Sequence, residues 1–212
     1  MIFYRPTDGD PYTSPISYRP RTCFLMTQLG SPSDGVLEIR QRLEEILSGF
    51  DIKLIDANSV VTGKDFLLKI WNLLLAVPLG IAIIDESMRP GTLCNIFYEL
   101  GVLQAYGKES LVIKTEAATI PSDFVRTEYV KYDVNFDEKM RKFLNGFLKQ
   151  ADYYETVAGQ VEKNPLLSVD FLRRAYLISG KEELRDKVEE LMSAVALIDR
   201  ARNSVETLLA NF

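Results

Sequence analysis

Histidine is missing from all 212 residues of this chain. No imidazole can serve as base, proton shuttle or metal ligand, which removes the Ser-His and Cys-His nucleophile schemes and most zinc or iron sites. Cysteine is nearly as scarce. Cys23 and Cys94 lie far apart, form no metal-ligand spacing, and read as free thiols of a reducing compartment. No apolar run nears the roughly 20 residues of a spanning helix, and the N-terminus lacks the basic-then-apolar pattern of a secretory signal. These absences predict a cytoplasmic, soluble protein. A net charge of −5 argues against an extended nucleic-acid surface. Chemistry here must rest on carboxylates, hydroxyls, lysine or cysteine, with neither a metal nor a resident cofactor expected.

Proline is concentrated at the start, at Pro6, Pro11, Pro15 and Pro20, with Tyr4, Tyr12 and Tyr18 between. That spacing forbids a helix and predicts an extended arm over residues 1–21. It can be a loose tail, an arm packed on its own domain or a neighbour, or a lid. From residue 22 to 133 strands and helices alternate. Strands are expected at 22–27, 52–55, 79–84, 110–114 and 129–132. Helices are expected at 36–48, 64–77 and 92–106, each with an apolar stripe of helical period. On the second helix Phe66, Leu67, Ile70, Leu74 and Val77 should face inward. Helical crossovers imply parallel pairing. The expected fold is α/β, a five-stranded flavodoxin-like doubly wound parallel sheet with an all-helical extension over 134–212. In that extension Leu184, Val188, Leu191, Val195, Ile198, Val205 and Leu209 step by fours and threes, interrupted only at Arg202. The seam suits packing on its own domain or self-association, and the apparent completeness of the α/β unit favours a homo-oligomer.

The stretch Asn95-Ile96-Phe97-Tyr98-Glu99-Leu100-Gly101 follows a buried strand that ends in Asp85-Glu86 and a Pro90-Gly91 turn. It therefore sets Glu99 about two turns into a helix beyond a strand end, where open α/β sheets bind ligands. On a helical wheel Leu93, Ile96, Leu100 and Leu103 form the core stripe, and Thr92, Asn95, Glu99 and Tyr106 border it. Asn95 and Glu99, one turn apart, can reach the same ligand. Glu99 is either a solvated boundary residue or a functional carboxylate. Trp71 can stack a base or pack half-buried, and Arg89, in the loop before the helix, can meet a phosphate or remain solvated. The Gly30–Gly35 loop lacks a Gly-Lys-Ser/Thr ending and is not a Walker loop.

The runs NIFYELGVLQAYGK, IPSDF and EYVKYD resemble a bacterial TIR-like nucleotide-binding family. CFLMTQLG is similar to that family's first strand and loop, Ile55-Asp56 to its second strand end, and the segment from Gly63 to Trp71 to its next helix. The resemblance spans about residues 21–133. Asp85, Gly91-Thr92 and Glu99 also resemble the strand-end Asp, Gly-Thr and helix Glu of nucleoside 2-deoxyribosyltransferases. The gap from Gly-Thr to Glu is longer here, however, and Met26-Thr27-Gln28 replaces a small Gly-rich turn.

Both resemblances imply chemistry at an N-glycosidic bond of a nucleoside, nucleotide or NAD. Glu99 would be nucleophile or electrostatic stabiliser, Asp85 and Asn95 would hold sugar hydroxyls or base edges, and Thr92 and Asp56 would contribute to the same site. Backbone N–H groups of the Thr27–Gly30 loop, with Gln28 in it, at the head of the first helix, would face a phosphate if the substrate carries one. The TIR-like resemblance further implies a defence or toxin-type effector controlled by assembly or by a regulatory partner. Two other readings stand beside it: a nucleotide-sensing module that does not turn its ligand over, and a structural oligomer with a vestigial cleft.

Overall fold

The computed structural model describes residues 16–58, 66–121 and 129–194. The chain divides into two compact units, Thr22–Asn145 and a second made of Met1–Arg21 with Gly146–Phe212. The expected boundary at 133/134 differs from this division, which falls inside a continuous helix. Expectations on residues 1–15, on the start of the second helix, on most of IPSDF, and on Val195, Ile198, Val205 and Leu209 lie outside the described residues.

The first unit is an α/β sandwich. Its strands are β1 (Thr22–Met26), β2 (Lys53–Ile55), β3 (Leu79–Ile84), β4 (Glu109–Lys114) and β5 (Tyr129–Lys131), and its helices are α1 (Asp34–Ser48), α2 (Phe66–Ala76), α3 (Pro90–Ala105) and the first turns of α4 (Phe136–Gln160). All pairings are parallel, in the order β2-β1-β3-β4-β5, which is the flavodoxin-like order expected. Every residue of β1 and β3 is buried. Central parallel strands are covered on both faces, and so read as unbroken apolar runs rather than alternating ones. Arg42 of α1 pairs with Asp137 of α4, while α2 packs on α3. Right-handed crossovers place these two helix pairs on opposite faces. The chain leaves β1 for β2 on one side and returns to β3 on the other. This reversal opens a crevice at the carboxyl ends of β1 and β3.

Two local features differ from the sequence pattern. Pro90 and Gly91 are not a turn before α3 but its first residues, with Arg89 as N-cap. Proline suits that position because its missing N–H would have no helical partner anyway. Phe66 and Leu67, expected inward on α2, are 57% and 38% exposed. The buried run of α2 is Ile70–Ala76 without Asn72. Trp71 is fully buried rather than half-buried, with its indole N–H unpartnered.

Gly80 sets how closely α3 approaches β3. A Cβ there would run into the Leu103 side chain and stand 3.0 Å from Cε of Met26, both fully buried. The glycine is thus required by contact, not by backbone conformation.

In the second unit, α5 (Pro165–Ser179) is capped by the Asn164 side chain at its start and by Gly180, in the left-handed region at φ 71°, at its end. With α6 (Glu183–Ala194) and the end of α4 it encloses Ala158, Val169, Leu172, Ala175, Tyr176, Leu184 and Val188, with Leu191 packed against them. The first three positions of the heptad seam therefore face their own unit. Residues 16–21 of the arm also belong here. The Arg21 N–H donates to the Leu177 carbonyl at 2.9 Å, and the Tyr18 hydroxyl accepts from Arg173 at 2.6 Å. Arg173 is buried and paired with the buried Asp170, as a charge in that setting must be. Among the described residues no helix is long and apolar enough to cross a membrane.

Overpacking at a close helix–strand contact typically costs about 1–3 kcal/mol. Gly80→Ala is expected to lower the unfolding free energy by about that amount, read as a shift of the urea midpoint at unchanged slope.

Candidate functional site

The crevice holds a cleft of about 490 Å³, within the range of small-molecule sites. Its floor is Phe24 and Leu25 of β1. One wall is the loop Thr27–Ser31, the other is α3 with Thr92, Asn95, Ile96 and Glu99, and Arg89, Ala57 and Phe66 complete the lining. Of the residues expected at the site, Glu99, Asn95, Thr92, Thr27, Gln28 and Gly30 meet here. Asp85 and Asp56 do not line it.

The position of Asp85 has a clear cause. Its Oδ2 accepts from the Ser33 hydroxyl at 2.7 Å, and its Oδ1 accepts the Ser87 N–H at 2.8 Å and the Ser87 hydroxyl. Burial pushes its pKa up, but the Ser87 and Ser33 hydrogen bonds outweigh that and leave it below the ordinary carboxylate value. Ser33 is also the N-cap of α1, accepting from the Val36 N–H at 3.2 Å. The head of α1, expected to face a phosphate, thus already has a carboxylate beside it. Asp56 is spent similarly: it is buried, its side chain pairs with Arg40 at 2.7 Å and it accepts the Asn58 N–H.

The β1–α1 loop is held by Gln28. Its amide donates to the carbonyls of Gly30 at 2.8 Å and Ser31 at 2.9 Å. Ser31, rather than the adjacent Gly30, takes the left-handed conformation at φ 50°, which a residue with a Cβ occupies only when its surroundings impose it. Gly30 has open space around its α-carbon. The Gln28 side chain therefore shapes the loop, and its two amide hydrogens are already committed.

Glu99 is in the opposite condition. It is half-buried on α3, makes no hydrogen bond or ion pair among the described residues, and lines the cleft. Burial alone pushes its pKa up to about 7, because a carboxylate without partners is costly to ionise away from water. It is the one acid among the described lining residues. The core stripe that aims it is Ile96, Leu100 and Leu103, all buried. Leu93, expected in that stripe, is only partly buried, and Asn95 is exposed at the cleft.

Sequence reasoning did not place Phe66, Ser31, Ala57 and Ile96 at the cleft. For Phe66 the helical period pointed the wrong way, since it stands at the first described turn of α2, ahead of the buried run. Cys94, weighed as an inert apolar residue, is exposed and outside the lining. Compared with models of known protein families and with curated proteins, the chain matches none.

The burial of Glu99 gives a pH signature. A raised carboxyl pKa means the folded state holds its proton more tightly than the unfolded state, so this residue costs stability as pH rises from about 4.5 to about 7. Glu99→Gln has no such penalty. The variant is expected to melt like the parent near pH 4, and to gain stability on the order of 3 kcal/mol by pH 8, read by thermal unfolding across pH.

Proposed function

We propose that this protein cleaves or transfers the N-glycosidic bond of a nucleoside, nucleotide or NAD, with Glu99 as the catalytic carboxylate. The observation that carries the reading is the unpartnered, half-buried Glu99 on the wall of a cleft large enough for a ribose. Buried polar groups are normally satisfied; a carboxylate left bare against a cavity is held ready for something that enters it.

Breaking the bond between C1′ and the base nitrogen develops oxocarbenium character at C1′, as in O-glycoside cleavage. The electron pair of the bond leaves with the base. Ionised Glu99 stabilises the cationic carbon, or attacks it to form an ester that water or an acceptor then opens. Asn95, one turn earlier on α3, and Thr92 suit ribose hydroxyls.

The cleft presents no second acid among its described lining residues, and the chain has no histidine. A neutral purine or pyrimidine leaves poorly without a proton donor. A base that is already cationic, such as the pyridinium of NAD, leaves as a neutral molecule and needs none. Within the proposed substrate set this favours the pyridinium nucleotide. The wider role in this reading is a defence or toxin-type effector, with the helical unit making the contacts to further copies or to a regulatory protein.

A second reading is a nucleotide sensor. It is favoured by the state of Asp85, the carboxylate that the transferase resemblance would set on the sugar and that here is tied to Ser33 and Ser87. Glu99 would then only accept a ribose hydroxyl.

Incubation with NAD and a nucleoside panel, followed by chromatography of the free base, separates the two readings. The enzyme reading expects base release that rises with pH through about 7, as Glu99 ionises, and falls at least ~100-fold in Glu99→Gln. Nucleotide binding with no release from any substrate leaves the sensor.

A further inference from the structure

We propose that the groove between α6 and the neighbouring turns of α4 and α5 takes the C-terminal apolar seam of a second copy of this chain, so that two copies exchange seams about a two-fold axis. This rests on the assembly role proposed for the helical unit and gives it a surface. It does not depend on the chemistry of the cleft.

The groove encloses about 470 Å³. Its floor is apolar, built from Ala158 of α4, Leu172 of α5 and Leu191 of α6. Ser168 also borders it, but its hydroxyl already donates to the Ala158 carbonyl at 2.9 Å. The rim is acidic. Lys187 engages Glu155, which leaves the exposed Glu162 and Glu190 to set its charge. An apolar trough with an acidic edge fits an apolar ridge that carries a cation.

The seam of this chain is such a ridge. Its first two members, Leu184 and Val188, are sealed in the core, whereas Leu191 is half-buried and opens onto the groove. The helix α6 runs antiparallel to α5. The Tyr176 hydroxyl, near the end of α5, donates to Glu182 just before α6, and Leu191 shares the groove with Ser168 near the start of α5. The length of α5 is 15 residues, and the same length counted from Glu183 reaches Leu197. The sequence repeat outruns it, with Ile198, Arg202, Val205 and Leu209 still to come. At that end of the unit α4 has also stopped, at Gln160.

An apolar repeat in fours and threes that outlasts its own unit is suited to another helix. Arg202 is its single interruption. A cation in an apolar seam is costly unless it meets an acid, and one polar seam position fixes register and copy number. Glu162 and Glu190 of the second copy supply that acid. Because one copy brings both groove and seam, the exchange closes at two.

Light scattering after size exclusion, on the full chain and with a dilution series, tests this. The parent is expected to be a dimer. Gly159 lines the groove, and a Cβ there meets nothing within 4 Å. Gly159→Trp therefore fills the trough from its open side and is expected to give a monomer with an unchanged helical spectrum. Arg202→Glu is expected to weaken the dimer at least about tenfold, as is Glu162→Lys with Glu190→Lys, through contact of like charges. Combining all three should restore association, which a loss of folding could not do. A parent that stays monomeric at its highest soluble concentration, a dimer that survives Gly159→Trp, or charge reversals that the combination does not rescue overturns the proposal. Base release by a monomeric parent keeps the glycosidic reading and removes this one. A groove-dependent dimer that releases no base does the reverse.

Discussion

Both walls of the cleft depend on one buried carboxylate. Asp85, at the end of the central strand β3, takes Ser33 from the loop after β1 and Ser87 from the turn that leads into α3. The loop and the helix are otherwise separate pieces of chain, and each borders the crevice where the sheet order reverses. Tying both to one strand end fixes the distance between them. The same bonds orient the Ser33 hydroxyl that caps α1, so sheet, loop and both helix starts share one anchor. A carboxylate that accepts from three donors is ionised and held below its ordinary titration range.

With Asp85 engaged, charge in the cleft is simple. Glu99 is alone on one turn of α3, and Arg89 is alone at the start of the same helix. The two stand ten residues apart, about 15 Å along the helix axis, and do not form an ion pair. The cost of keeping Glu99 without a partner is borne by the packing of α3, whose residues Ile96, Leu100 and Leu103 seat it on the sheet, with Gly80 beneath Leu103 allowing the close approach. A carboxylate without a partner and close packing elsewhere on the same helix are two sides of one arrangement.

Much of this was legible in the residues. The buried strands are continuous apolar runs and the helices have clear stripes, so element order and sheet class followed from period alone. Glu99, Asn95 and Thr92 were placed correctly relative to each other because a helix fixes the spacing of its own side chains. What period cannot convey is which carboxylate finds a partner from a distant segment. Asp85 and Asp56 looked as available as Glu99, and only tertiary contacts with Ser33, Ser87 and Arg40 separate them. Phe66 was misplaced because an apolar residue at the first described turn of a helix obeys the stripe without reaching the core. Pro90 was read as a turn because Pro-Gly favours turns, although proline also opens helices.

The helix α4 carries a consequence for dissecting the chain. Phe136, Met140 and Leu144 are buried in the sheet-containing unit, while the later turn at Ala158 belongs to the core of the other. A protease or a truncation acting after Asp133, where the alternation of strand and helix stops, would strip three buried side chains from the α/β unit and expose its flank. The two units thus share a secondary-structure element and cannot be separated at the point where the sequence changes character. Gene shuffling that moved the sheet alone would have to carry at least the first ten residues of this helix with it.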